Sequence, residues 1–229
     1  MNDHKEEHLA SSDLLRDVVI GMSDGLTVPF ALAAGLSGAV ANSSIIVIAG
    51  IAEIAAGGIA MGLGGYLSGK TEQDHYNSEL KREYDEVEHK PEVERTEVKE
   101  IFQNIGLSEE LQQQVTNEII KDKKRWVDFM MKFELGLEEP NPKRARNSAF
   151  NIGLSYVAGG IIPLSPYFFI DDSKEALKIS VVATLLCLFT FGYFKSKITG
   201  VAPVSGALKV TLIGALAAAA AYAVALIFK

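Results

Sequence analysis

Several things are scarce in this chain, and each scarcity narrows what it can be. Cysteine is almost absent: Cys187 is the only one in 229 residues. No internal disulfide can form, and the redox compartment is not written in the cysteines. Basic residues are missing from 18 to 68, a stretch whose only charges are Asp24 and Glu53. The N-terminal MNDHKEEHLASSDLLRD is polar and acidic, without the basic start, short apolar core and cleavage site of a signal peptide. Proline and glycine are missing between Gly69 and Pro91, so nothing there interrupts a helix.

What is present is badly mixed. The chain is 48% hydrophobic with a formal net charge of −7, but residues 69–147 hold 14 Lys/Arg and 19 Asp/Glu while long stretches on either side hold almost none. A membrane helix needs roughly 20 apolar residues to cross ~30 Å of hydrocarbon. Five stretches satisfy this, at about 18–39, 44–67, 148–170, 176–194 and 206–228. The expected fold is all-α: a polytopic membrane protein with five transmembrane helices and a soluble insert. The expected divisions are a 1–17 N-terminal segment, helices 1 and 2 in 18–68, the insert in 69–147, and helices 3 to 5 in 148–229.

Basic residues near span ends set orientation. Lys5, Arg16, Lys70, Lys143, Arg144, Arg146, Lys195 and Lys197 fall on one side; the other has DDSKEALK, richer in acids, and Lys229. The N-terminus and insert are therefore expected in the cytosol, and the C-terminus in the opposite compartment.

Acids inside spans need a reason, because a charge at bilayer depth costs at least ~2.5 kcal/mol and normally faces a partner, a cavity or an ion. Asp24 lies in GMSDGLTVPF and Glu53 in the glycine-rich IAEIAAGGIAMGLGGYLSG, followed eight residues later by Met61. Asp24 and Met61 are each six residues from the cytosolic edge, ~9 Å in, with Glu53 deeper. A carboxylate beside a thioether is a mixed hard and soft set that favours transition metals over Mg²⁺ or Ca²⁺. The plain alternative for Met61 is a filler in a glycine-rich interface.

In the insert, helix 2 is expected to continue to Pro91, a second helix to run from Pro91 to Gly106, and a third from an N-cap at Ser108 through SEELQQQVTNEIIKDKKRWVDFMMKFELGL. Glu83 and Glu86, then Glu94 and Glu97, are spaced i, i+3; Met130, Met131 and Glu134 fall within one turn. Such residues share a helix face, so three faces can converge on metal, backed by Trp126, Phe129 and Phe133. The alternative is a set of solvated glutamates. Paired glutamates also hold two metals in ferritin-like proteins, but the Glu-x-x-His of that group is absent.

GMSDGLTVPFAL, EIAAGGIAMGLGGYLSGKTEQDHY and SYVAGGIIPLSPYFF together resemble the vacuolar iron transporter family, over essentially the whole chain. The resemblance implies ferrous iron moved from cytosol into a vacuole in exchange for protons, by a homodimer in the vacuolar membrane, with no catalytic cofactor. It implies a pathway through Asp24, Glu53 and Met61, with Met61 as a metal ligand beside Asp24; the deeper, apolar setting of Glu53 makes it the expected proton carrier. It implies cytosolic ligands at Glu83, Glu86, Glu94, Glu97, Met130, Met131 and Glu134. Asp17, at the cytosolic mouth of span one, is a second proton-carrier candidate. Zn²⁺, Co²⁺, Ni²⁺ and Mn²⁺ are further expected cargoes; membrane lipid is an expected partner and nucleic acid is not. A membrane-anchored di-metal oxidase or ferroxidase, and a metal-binding regulator that transports nothing, remain as alternatives.

Overall fold

Five helices are long and apolar enough to cross a bilayer, and they carry the chain in and out of one membrane-type unit. The structure, a computed structural model, describes residues 12–227. The orientation signals at Lys5 and Lys229 lie outside those residues. Helix α1 is Ser12–Ala39, α2 Ser43–His89, α3 Pro91–Asn104, α4 Glu109–Ile119, α5 Lys123–Phe133, α6 Arg144–Leu164, α7 Ser173–Ile198 and α8 Pro203–Ile227. A short 3₁₀ turn, Ser165–Phe168, follows α6. Among the described residues there is no strand, only an isolated antiparallel bridge between Asn42 and Asp172.

The chain divides into two compact units, one made of Ser68–Arg144 and the other of what flanks it. Helix α2 contributes to both. The insert therefore starts one residue before the expected 69 and ends before 147, because α6 already begins at Arg144.

In the flanking unit α1, α7 and α8 pack on one another, and α6 is seated against α1 and α2 through small residues. A Cβ on Gly25 would collide with the Tyr156 backbone, and one on Gly153 would lie 2.9 Å from the Gly58 carbonyl. Without a hydrophobic force between helices in lipid, such close backbone approach is what holds them. One core joins Ala33, Ile46, Ile54, Leu164, Tyr167 and Ala176. Ile48, Ile59, Leu154 and Leu212 point outward, as lipid-facing side chains do. Pro166 has no N–H for the Ile162 carbonyl, which takes a bond from the Ser165 hydroxyl instead (2.8 Å), so α6 tightens into the 3₁₀ turn. At this end Ser43 N–H donates to the Asp171 carbonyl and Ser173 N–H to the Ala41 carbonyl, each at 3.0 Å. The buried Ser173 hydroxyl adds a bond to the Val40 carbonyl.

The insert corrects one expectation. Its last helix is not continuous: the chain breaks at Ile120–Asp122 into α4 and α5, so four helical pieces build this unit rather than three. No proline or glycine marks the break. Asp122 caps α5 by accepting from Arg125 N–H at 2.7 Å, and the Arg125 guanidinium bonds the terminal carbonyls of Glu118 and Ile119. One arginine and one aspartate thus serve both free helix ends. Ser108 occupies the N-cap position of α4 but its side chain makes no cap bond. Pro91 opens α3 at its first position, and Gly106, at φ +89°, closes it in the left-handed conformation that glycine tolerates. The core of this unit is Val87, Val98, Trp126, Val127, Met130 and Met131.

Candidate metal sites

Within the membrane-type unit, the structure couples Glu53 to a residue on another helix. Tyr156 of α6 is almost fully buried, and its hydroxyl donates to Glu53 Oε1. The other oxygen, Oε2, is buried with no hydrogen-bond partner among the described residues. The tyrosine ring has room because position 57, one turn after Glu53, is glycine: a Cβ there would strike the ring edge. Its backbone is pressed on Gly25, next to Asp24. Tyr156 is therefore wedged between the neighbours of both intramembrane acids.

Asp24 and Met61 are half-buried, and Asp24 belongs to no group of three or more acids, histidines or cysteines gathered among the described residues. Asp17 is buried and accepts from the Ser148 hydroxyl at 3.1 Å and, more weakly, from the Asn151 amide at 3.4 Å. Its surroundings are polar rather than apolar.

In the Ser68–Arg144 unit, one group of three carboxylates comes together. Glu83 on α2, Glu94 on α3 and Glu134 at the end of α5 place ligand oxygens within 4.8 Å of one another. Glu83 and Glu94 are buried; Glu134 forms the exposed rim. Oε2 of Glu83 and Oε2 of Glu94 are each buried without a hydrogen-bond partner. Burial, then repulsion from Glu134, Glu86 and Glu97, pushes the Glu83 carboxyl up to about 7, against a lowering pull from Arg82. Burial, then Glu97 and Glu83, pushes Glu94 up to about 7 as well. Glu134 moves in the same direction, through partial burial and Glu97.

Buried, mutually repelling carboxylates with unmatched oxygens are costly in isolation, a cost that either protons or a cation would relieve. Oxygens sharing one small dication at ~2.1 Å lie ~3 Å apart, so the group must close by less than about 2 Å on binding. Glu86 and Glu97 sit half-buried beside the trio. Glu86 is engaged by Arg82 at 3.5 Å and Lys90 at 3.2 Å. Met130 and Met131 are fully buried in the apolar core of this unit.

Comparison with known proteins follows the same residues. A model described as the VIT family matches residues 15–226. The chain belongs to the VIT family. It is 56% identical to vacuolar iron transporter 1 of Tulipa gesneriana over 98% of this chain and 91% of that one. It is 53% identical to vacuolar iron transporter 1 of Arabidopsis thaliana, covering 98% and 90%. With vacuolar iron transporter 2 of Oryza sativa subsp. japonica the identity is 50%, covering 98% and 92%.

In this VIT-family chain the sequence pattern missed groups that touch the acids, among them Tyr156, Ser148, Asn151 and Arg82. For the first three a signal existed. Ser148, Asn151, Ser155 and Tyr156 are polar at helical spacing in an otherwise apolar span, which marks a face turned away from lipid. Arg82 carried no such signal, being one of many charges on a polar helix.

Proposed function

We propose that this protein carries ferrous iron from the cytosol into the vacuole across the vacuolar membrane in exchange for protons, as a transporter and not an enzyme. Zn²⁺, Co²⁺, Ni²⁺ and Mn²⁺ are further cargoes on the ligand chemistry. The observation that supports it most is near full-length identity to proteins named vacuolar iron transporters, in a chain whose apolar helices carry Asp24 and Glu53.

In this proposal Ser68–Arg144 faces the cytosol and the C-terminus faces the lumen. Metal is captured by Glu83, Glu94 and Glu134, with Glu86 and Glu97 joining as the site closes; Met130 and Met131 line its apolar wall. Since burial and mutual repulsion raise Glu83 and Glu94 to about 7, protons compete with metal for them, and metal entry releases protons. Capture then tightens as cytosolic pH rises.

The transmembrane step uses Asp24 and Met61. In a homodimer with the two-fold axis near α1, two carboxylates and two thioethers surround one ion. Glu53 supplies proton exchange. Tyr156 holds Oε1 in place, and Oε2 is the oxygen left to take either a proton or a share of the metal charge. Asp17, in its polar pocket with Ser148 and Asn151, is the proton acceptor nearer the cytosol.

Reconstitution tests this directly. Proteoliposomes with an acidic interior should accumulate Fe²⁺ and not Mg²⁺, and should alkalinise as they do so. Binding without uptake would leave a metal-responsive membrane protein in place of a carrier.

A further inference from the structure

Six glutamates of the Ser68–Arg144 unit crowd one region, and Arg82 is set among those of α2. Its Nη2 is 2.7 Å from Glu79 Oε2 and 3.9 Å from Glu83 Oε1, and its Nε is 3.5 Å from Glu86 Oε2. One guanidinium therefore serves three carboxylates at i−3, i+1 and i+4 of its own helix. Its positive charge also opposes the mutual repulsion of the acids at both Glu83 and Glu134. The contacts differ in permanence. Glu83 is buried, but the Arg82 side chain is 52% exposed, and exposed ion pairs hold little energy. The arginine can swing into water; the glutamate cannot.

Given that the carboxylate trio binds metal, we infer that Arg82 is a tethered competitor: its guanidinium balances the glutamates while the site holds no ion, and is displaced when a divalent transition metal enters. The arrangement has two effects. It keeps the unloaded glutamates together at the cost of affinity, because a dication beside a guanidinium in a water-like dielectric is repelled by about the energy of a tenfold change in Kd. It also ties up Glu86, which must exchange Arg82 for metal before it can become a ligand. Arg82 thus sets the concentration at which the site fills, without being a ligand itself.

The test is calorimetric titration of Co²⁺ into the full-length protein in detergent at pH 8, in an Asp24→Ala background that removes the transmembrane ligand. Arg82→Gln should bind about tenfold more tightly than its parent. Arg82→Lys, which keeps the charge, should stay near the parent, and the Gln advantage should shrink in high salt. Thermal unfolding followed at Trp126 confirms that each variant is folded. Equal or weaker binding by Arg82→Gln would overturn the inference and make Arg82 an organiser of the ligands. A gain in Arg82→Lys as large as in Arg82→Gln would overturn it too, since charge would not be the cause. A parent that takes up no Co²⁺, and behaves like Glu83→Gln with Glu94→Gln, is a separate result: it removes the metal site itself.

Discussion

Tyr156 and Glu53 stand 103 positions apart in sequence, yet the tyrosine hydroxyl is bonded to one oxygen of the glutamate and leaves the other unmatched. An acid fixed at one oxygen has a defined direction for the other, which suits the proton exchange proposed for Glu53.

Glu53→Gln keeps size and hydrogen bonding but cannot titrate. The variant should lose Fe²⁺ uptake driven by an acidic lumen while binding at Asp24 and Met61 survives. Tyr156→Phe should cut gradient-driven uptake several-fold with a loss of about 1 kcal/mol in stability. Melting temperature and pH-driven uptake on one preparation separate these effects. Retained coupling in Glu53→Gln would pass the proton role to Asp17.

Among the described residues Asp24 belongs to no group of three gathered acids, histidines or cysteines, so its removal breaks no such cluster. Asp24→Ala should therefore fold and elute as the wild type does on size exclusion, with transport abolished. Normal uptake by this variant would take Asp24 out of the pathway.

For the metal-free insert the pH dependence has a definite sign. Glu83 and Glu94 rise from an ordinary 4.5 to about 7 on folding, so the folded state binds their protons more tightly. Their stabilisation is fully present below about pH 4.5 and is lost as pH rises through 7. Trp126, the only tryptophan, sits in the core of this unit and reports its unfolding. Metal-free melting should fall from pH 5 to pH 8, and Glu94→Gln should flatten that slope. Saturating Co²⁺ should raise melting more at pH 8 than at pH 6. A flat metal-free profile would mean that these carboxyls are not proton-loaded in the fold.

Ligand substitutions should rank by position. Glu94→Ala, from the gathered trio, should weaken Co²⁺ binding by more than about tenfold, and Glu97→Ala, beside it, by less. The double change Glu83→Ala with Glu97→Ala should weaken binding sharply. Calorimetry reads the order directly, and equal effects at 94 and 97 would enlarge the ligand set to both.

Most of the membrane architecture was legible because it rests on one-dimensional facts. Length and unbroken apolarity locate α7 and α8, and a proline followed by a glycine brackets α3. The split between α4 and α5 was hidden: KDKKR looks like a solvated stretch, and its role in capping appears only when Arg125 reaches back to Glu118. The acids themselves stood out against their apolar setting. Their partners did not, because Tyr156 meets Glu53 through the packing of α6 on α2, and no spacing along the chain encodes that contact. Glu83, Glu94 and Glu134 shared a face pattern with Glu86 and Glu97; only the tertiary approach of their oxygens to one another distinguished them.

The bridge between Asn42 and Asp172 also imposes a schedule on biosynthesis. The turn after α1 leaves the ribosome early, but the carbonyl of Asp171 and the amide of Ser173 that complete its hydrogen bonds follow some 130 residues later. At ordinary translation speed that is a wait on the order of ten seconds. Throughout it the nascent first hairpin carries unpaired backbone at its tip, and the whole Ser68–Arg144 segment emerges in the interval. Ala41 and Asn42, like Asp171 and Asp172, are exposed, so water serves these groups until α7 arrives to finish the joint.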